Sequence, residues 1–175
     1  MHQFIPPNYA YIKSLLQLPN NLSYCSIECQ LSNHIPYNQI LGIQQNNNQT
    51  IKKIELICKT LGFLWPEKNI SWSILPKNNH FNIQGIELGM MISLLLASQQ
   101  LDMPESMLES IYFGDLLLNG DIFCSETSLN MIAELITNQD IVTNTNSLSQ
   151  HNINITNYKS VFEMIKHNKT NTINL

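Results

Sequence analysis

Arginine is missing altogether from these 175 residues; all nine cationic side chains are Lys. Charge of either sign is scarce, at 13% of residues against about 25% in an ordinary soluble domain. The net balance is −4, and no basic run exceeds the pair Lys52 and Lys53. Nucleic-acid binders rely on clustered Lys and Arg to displace counterions from phosphates. The balance therefore argues against DNA or RNA as the main partner, and against an anionic membrane surface. Long hydrophobic runs are missing too. The longest, Ile86 to Ala97, is too short to span a bilayer and contains Glu87 and Ser93. The opening MHQFIPPNYAYIKSLLQL has neither a basic start nor an unbroken apolar stretch, so it does not read as a signal peptide, and a cytoplasmic location is expected. Cysteine is sparse, at positions 25, 29, 58 and 124. Cys25 and Cys29 resemble a metal pair, but four residues of strand separate their Cα atoms by roughly 13 Å. That is too far for a disulfide or a shared ion, and free thiols are expected. The histidines at 2, 34, 80, 151 and 167 lack the spacing of a zinc site. No metal and no cofactor are expected.

What is present is amide and apolar surface. There are 23 Asn and 12 Gln, and 43% of residues are hydrophobic, enough for one proper core. Residues 9–17 fit strand or helix equally. After a turn at Pro19 to Asn21, residues 22–31 alternate as a half-buried strand, with Leu22, Tyr24, Ser26, Glu28 and Gln30 on one side and Cys25, Ile27, Cys29 and Leu31 on the other. Following a turn over 32–36, the chain returns at Tyr37 to Ile43 as a second strand. A helix is predicted from about Thr50 to Leu61, capped by Asn48 and ended by Gly62. A strand follows at Asn69 to Leu75. After the polar loop 76–84 comes a helix from about Gly85 to Gln100, apolar nearly all round and so the buried central helix. A short polar turn or helix at Met103 to Glu109 precedes FGDLLL, Asn119-Gly120 and DIFC, which read as a β-hairpin. Helices at about 127–137 and 158–167 and a strand at 141–143 complete one domain over 9–168. Residues 1–8 form an extension, and 169–175 a frayed tail.

Four stretches, in order, resemble one family. IECQLSNHIPYNQILGI at 27–43, KKIELICKTLGFLWPEKNISWSILPK at 52–77, FGDLLLNGDI at 113–122 and YKSVFEMIKHN at 158–168 resemble the first domain of the magnesium-chelatase-related competence (ComM) proteins. The resemblance implies an α/β two-layer sandwich of the Lon-protease-like, ribosomal-protein-S5-domain-2-like fold. Family members carry an AAA+ motor after this domain. Here no G-x-x-x-x-G-K-[ST] occurs, so nothing in the chain cradles a triphosphate.

Lon-type peptidases use a Ser at the start of the central helix and a Lys that activates it. Gly85-Ile86-Glu87-Leu88-Gly89 places Glu87 where that Ser would be, and the Lys position falls on Leu129. A carboxylate is not a workable acyl-enzyme nucleophile here. Glu87 is expected to start the helix, where the dipole favours negative charge, bonding backbone amides or Lys77. His80 is a candidate ligand-facing residue of the long loop. Asp115 is expected to settle the start of the hairpin. Lys52, Lys53, Lys59 and Lys68 form at most a weakly basic helix side. The expected function is a non-enzymatic interaction or assembly module with a protein partner or a second copy. The alternatives are a DNA-handling accessory and a hydrolase with a nucleophile from outside the family pattern.

Overall fold

The computed structural model describes residues 7–18, 21–33, 35, 37–43, 48–77, 84–135, 139–144 and 155–172, the side chains of 167–172 excepted. β1 (Tyr9–Gln17) and β2 (Leu22–Ser32) pair antiparallel from Tyr9 opposite Gln30 to Gln17 opposite Leu22. The ambiguous segment 9–17 is thus a strand. Its alternate residues Ala10, Ile12 and Leu16 fill one face, and β2 supplies a long ladder of partners. β3 (Gln39–Leu41) is shorter than the predicted strand and does not turn back onto β2. It lies at the sheet edge, parallel to β4 (Asn69–Leu75), which pairs antiparallel with β2.

α1 (Asn48–Thr60) buries Ile51, Ile54, Ile57 and Cys58, one stripe at helical spacing. Gly62, at φ +82°, ends the turn that follows, and Phe63 N–H closes it on Cys58 O at 2.8 Å. Leu56, predicted for the buried stripe, stays half-exposed. α2 (Glu87–Ala97) is buried on all sides, as its all-round apolar sequence predicts. Gly85 stands outside it at φ +85°.

Beyond α2 come α3 (Glu105–Leu108), β5 (Ile111–Tyr112), the hairpin of β6 (Asp115–Leu116) and β7 (Ile122–Phe123), α4 (Glu126–Leu135), β8 (Ile141–Thr143), β9 (Ile155–Asn157) and α5 (Val161–Thr172). The main sheet runs β3-β4-β2-β1-β5-β8-β9, and β2 alone is antiparallel to its neighbours. β5 and β9 are absent from the sequence reading because segments this short carry no alternation to detect. The hairpin forms as predicted, but only Gly120 has positive φ, so its turn is not the doubly left-handed kind an Asn-Gly pair suggests. Gly120 N–H bonds Leu117 O, and Leu117 N–H bonds Asp121 O, both at 2.8 Å. α5 begins three residues later than predicted and continues to Thr172, into the stretch expected to fray. No Gly or Pro follows to stop it, and propagation adds one bond per residue.

One face of the sheet packs α1, α2 and α5 in a large core that includes Trp72, Tyr112 and Leu116. Its polar atoms are satisfied. Trp72 Nε1–H donates to Met90 O at 3.2 Å, and the Tyr112 hydroxyl donates to Met107 O at 2.7 Å. On the opposite face, Leu15, Leu22, Ile111, Phe113 and Ile141 meet Leu129 and Ile132 of α4 in a second cluster. The expected two layers therefore become three at the β1–β5–β8 end. The rest of that face carries Ser26, Glu28, Ser71 and Ser73, the polar side of a half-solvated sheet.

Candidate functional site

The start of α2 and the start of the β6–β7 hairpin are laced together by backbone. Gly114 N–H donates to Gly85 O at 2.8 Å, and Leu88 N–H donates to Gly114 O at 3.0 Å. The two carboxylates singled out from sequence complete the lacing from opposite sides. Asp115 Oδ1 accepts Gly85 N–H at 2.7 Å, and Glu87 Oε2 accepts Leu116 N–H at 2.8 Å. Each segment thus offers a side-chain oxygen to the other's amide. Gly85 is required at the crossing: a Cβ there would lie 2.1 Å from the Phe113 ring.

Glu87 has a second partner, and it is Lys53 of α1, whose Nζ lies 2.6 Å from Oε2. Lys77 is exposed and is not among Glu87's partners. Sequence distance misled here. Lys77 is ten residues away along the chain, whereas Lys53 is brought in by the packing of α1 beside α2. His80 lies outside the described residues. The Lys cluster read from sequence is largely committed inside the molecule: Lys53 to Glu87, Lys59 to Glu55 at 2.5 Å, and Lys68 to Asn8 Oδ1 at 2.6 Å.

Beside the crossing opens a cavity of about 120 Å³ lined by Gln17, Gln84, Gly85, Phe113, Asp115, Phe123, Cys124, Ser125 and Ser128. Ser125 caps α4, its Oγ accepting Ser128 N–H at 3.1 Å. The two hydroxyls are 2.7 Å apart, and Ser128 Oγ donates to Gln17 Oε1 at 3.0 Å. Among the described residues, no His, Lys or carboxylate hydrogen-bonds these hydroxyls to activate them. Burial pushes the Cys124 thiol up to about 12, with Asp115 adding to the rise against the pull of Thr143. It is therefore a neutral thiol and a poor nucleophile. Cys25 and Cys58 are likewise raised to about 12 by burial, and Cys29 is raised further. All four are free, and no group of three His, Cys, Asp or Glu able to hold a metal occurs among the described residues. Sequence reasoning missed Lys53 as a partner and Gln17 and Ser128 as lining. Only Ser125 left a trace, as a Ser immediately before a helix.

Burial raises the Asp115 carboxyl, the Gly85 amide opposes that, Glu87 adds to it and Lys53 reduces it. Between its ordinary and raised values the folded chain holds more proton at Asp115 than the unfolded chain does. Its contribution to stability therefore falls as pH rises through that window and stays low above it. Asp115→Asn removes the penalty and keeps an oxygen for Gly85 N–H. The variant is expected to melt at or above the parent at neutral pH, with any gain vanishing below the ordinary carboxylate range. A neutral-pH melting temperature clearly below the parent's would contradict this.

Sheet, helices and cleft together define a mixed α/β protein with a largely parallel sheet. Compared with known proteins, the chain matches no family model, and no curated sequence matches it. No helix among the described residues is long and apolar enough to cross a membrane.

Proposed function

We propose that the chain is a non-catalytic interaction or assembly module with the Lon-like, ribosomal-protein-S5-domain-2-like fold that its sequence resembles. The observation that carries this reading is the state of Glu87. At the position where a Lon-type enzyme has its Ser, the carboxylate is held by Lys53 and by Leu116 N–H. Leu129, at the position of the activating Lys, is 4% exposed among apolar side chains of the second cluster. Both places are taken by groups that hold the fold. The four stretches carrying the resemblance fall on β2–β3, α1–β4, the β6–β7 hairpin and α5. Half-exposed Leu117, Leu118, Phe123 and Phe162 on and after the hairpin supply apolar surface for a partner.

The test is chemical. Purified protein incubated with a fluorophosphonate serine probe and with unfolded casein is expected to show neither covalent adduct by intact mass nor peptide release. An adduct on Ser125 or Ser128, or turnover abolished by their replacement, would make the chain a hydrolase.

A further inference from the structure

We propose that the cleft beside the crossing receives a primary ammonium group, that of a lysine flanked by apolar residues on a partner protein. This rests on the reading of the chain as a binding module and says what that surface recognises. The anchor is Asp115. One of its oxygens is committed to Gly85 N–H, and the other accepts no hydrogen bond from the described residues. Lys53, which partly offsets its charge, is bound to Glu87, and no lysine of the described residues lines the cavity. A half-buried carboxylate in this setting gains by acquiring a cation beside it, and burial has already made its charge costly.

The other walls suit the same guest. Phe113 and Phe123 contribute rings, and aromatic rings attract a cation as it leaves water. An ammonium carries three N–H donors. Asp115, Ser125, Ser128, Gln17 and Gln84, all among the residues lining the cavity, carry side-chain oxygens able to accept them. At about 120 Å³ the space takes a side-chain tip rather than a whole small-molecule ligand, whose sites run to about 300–1,000 Å³. It also suits a compact ammonium better than a planar guanidinium with five N–H groups to satisfy. The rim defines the neighbours of that lysine. Asp115 stands opposite Phe123, and alternation puts Leu117 on the same outer side of the hairpin. Leu117, Leu118 and Phe123 of the same hairpin are 49%, 56% and 53% exposed, and Phe123 lines the cavity itself. The net charge of −4 steers basic partners toward the chain.

The probe is acetyl-Leu-Lys-Phe-amide, titrated into the ¹⁵N-labelled full chain and followed by amide shifts. Saturable shifts at Gly85, Leu116 and Ser125 are expected, with a Kd of about 1 mM, the strength of a single anchor. The same peptide with norleucine for Lys is expected to bind at least tenfold more weakly. Asp115→Asn, and separately Phe123→Ala on the exposed rim, are expected to weaken the Lys peptide while the rest of the spectrum stays unchanged. No saturable shift, equal binding of the norleucine peptide, or full binding by both variants would overturn the ammonium site. In those cases an uncleaved peptide leaves the non-catalytic reading standing. Hydrolysis of the peptide would overturn that reading, and this one with it.

Discussion

Glu87→Leu is expected to destabilise the protein by about 1–4 kcal/mol, the sum of a stranded buried amide and a broken ion pair. The amide is Leu116 N–H, which has Glu87 Oε2 as its acceptor at 2.8 Å and lies at the buried start of the hairpin. Leaving such a donor unpaired costs about 1–3 kcal/mol. The pair with Lys53 adds less, because the lysine side chain is 32% exposed and water can replace the carboxylate. For a chain of this length the loss corresponds to a fall in melting temperature of roughly 2–16 °C. Glu87→Gln separates the two contributions, since its amide oxygen still accepts from Leu116 and only the charge is lost. It should cost about 1 kcal/mol or less. Calorimetry on the two variants checks the order. A Glu87→Leu melting temperature within 2 °C of the parent, a margin of roughly 1 kcal/mol, would mean the carboxylate does not hold the hairpin to α2.

The second large effect belongs to Leu129→Lys. Leu129 packs with Leu15, Phe113 and Ile132 and is almost fully buried. The substitution removes that packing and brings an ammonium into an apolar cluster with no carboxylate in it. Unpaired buried charge costs about 3–5 kcal/mol, part of which the long side chain can relieve by reaching toward solvent. Leu129→Met conserves volume and should cost less than about 1.5 kcal/mol. It follows that Glu87→Ser with Leu129→Lys, which restores the letters of a Lon dyad, breaks the crossing and the second cluster together. That double variant is expected to be poorly folded and inactive. Chemical denaturation of Leu129→Lys settles the first point, and a midpoint equal to the parent's would show that α4 tolerates a charge at this site.

Periodicity makes the central elements legible in the sequence. β2, β4 and α1 each repeat their apolar residues at the strand or helix period over at least seven residues, α2 is marked by an apolar run too long for a strand, and their positions agree to within a few residues. β1 became decidable only through its partner, since both periods fit its residues. β5 and β9, at two and three residues, exist because longer strands and loops deliver them to the sheet edge. The candidate site was half readable. Glu87 and Asp115 stood out as acids at the start of a helix and of a hairpin, and they do meet across one crossing. That Lys53 completes it depends on how α1 lies against α2, a relation no local pattern encodes.

The strand order also has a consequence for synthesis on the ribosome. β1 sits in the middle of the sheet, yet its second neighbour is β5, so Ser14 waits for Tyr112, 98 residues later. At about 5–20 residues per second that interval is roughly 5–20 s. Late in it, once β4 has been made, β1, β2 and β4 can pair while Lys13 and Ser14 still lack their β5 partners. Ser14 is fully buried in the finished protein, its hydroxyl donating to Tyr112 O at 2.7 Å. A hydroxyl at that place keeps the waiting edge partly wetted, where a Val or Ile would offer adhesive surface to a neighbouring chain on the same message.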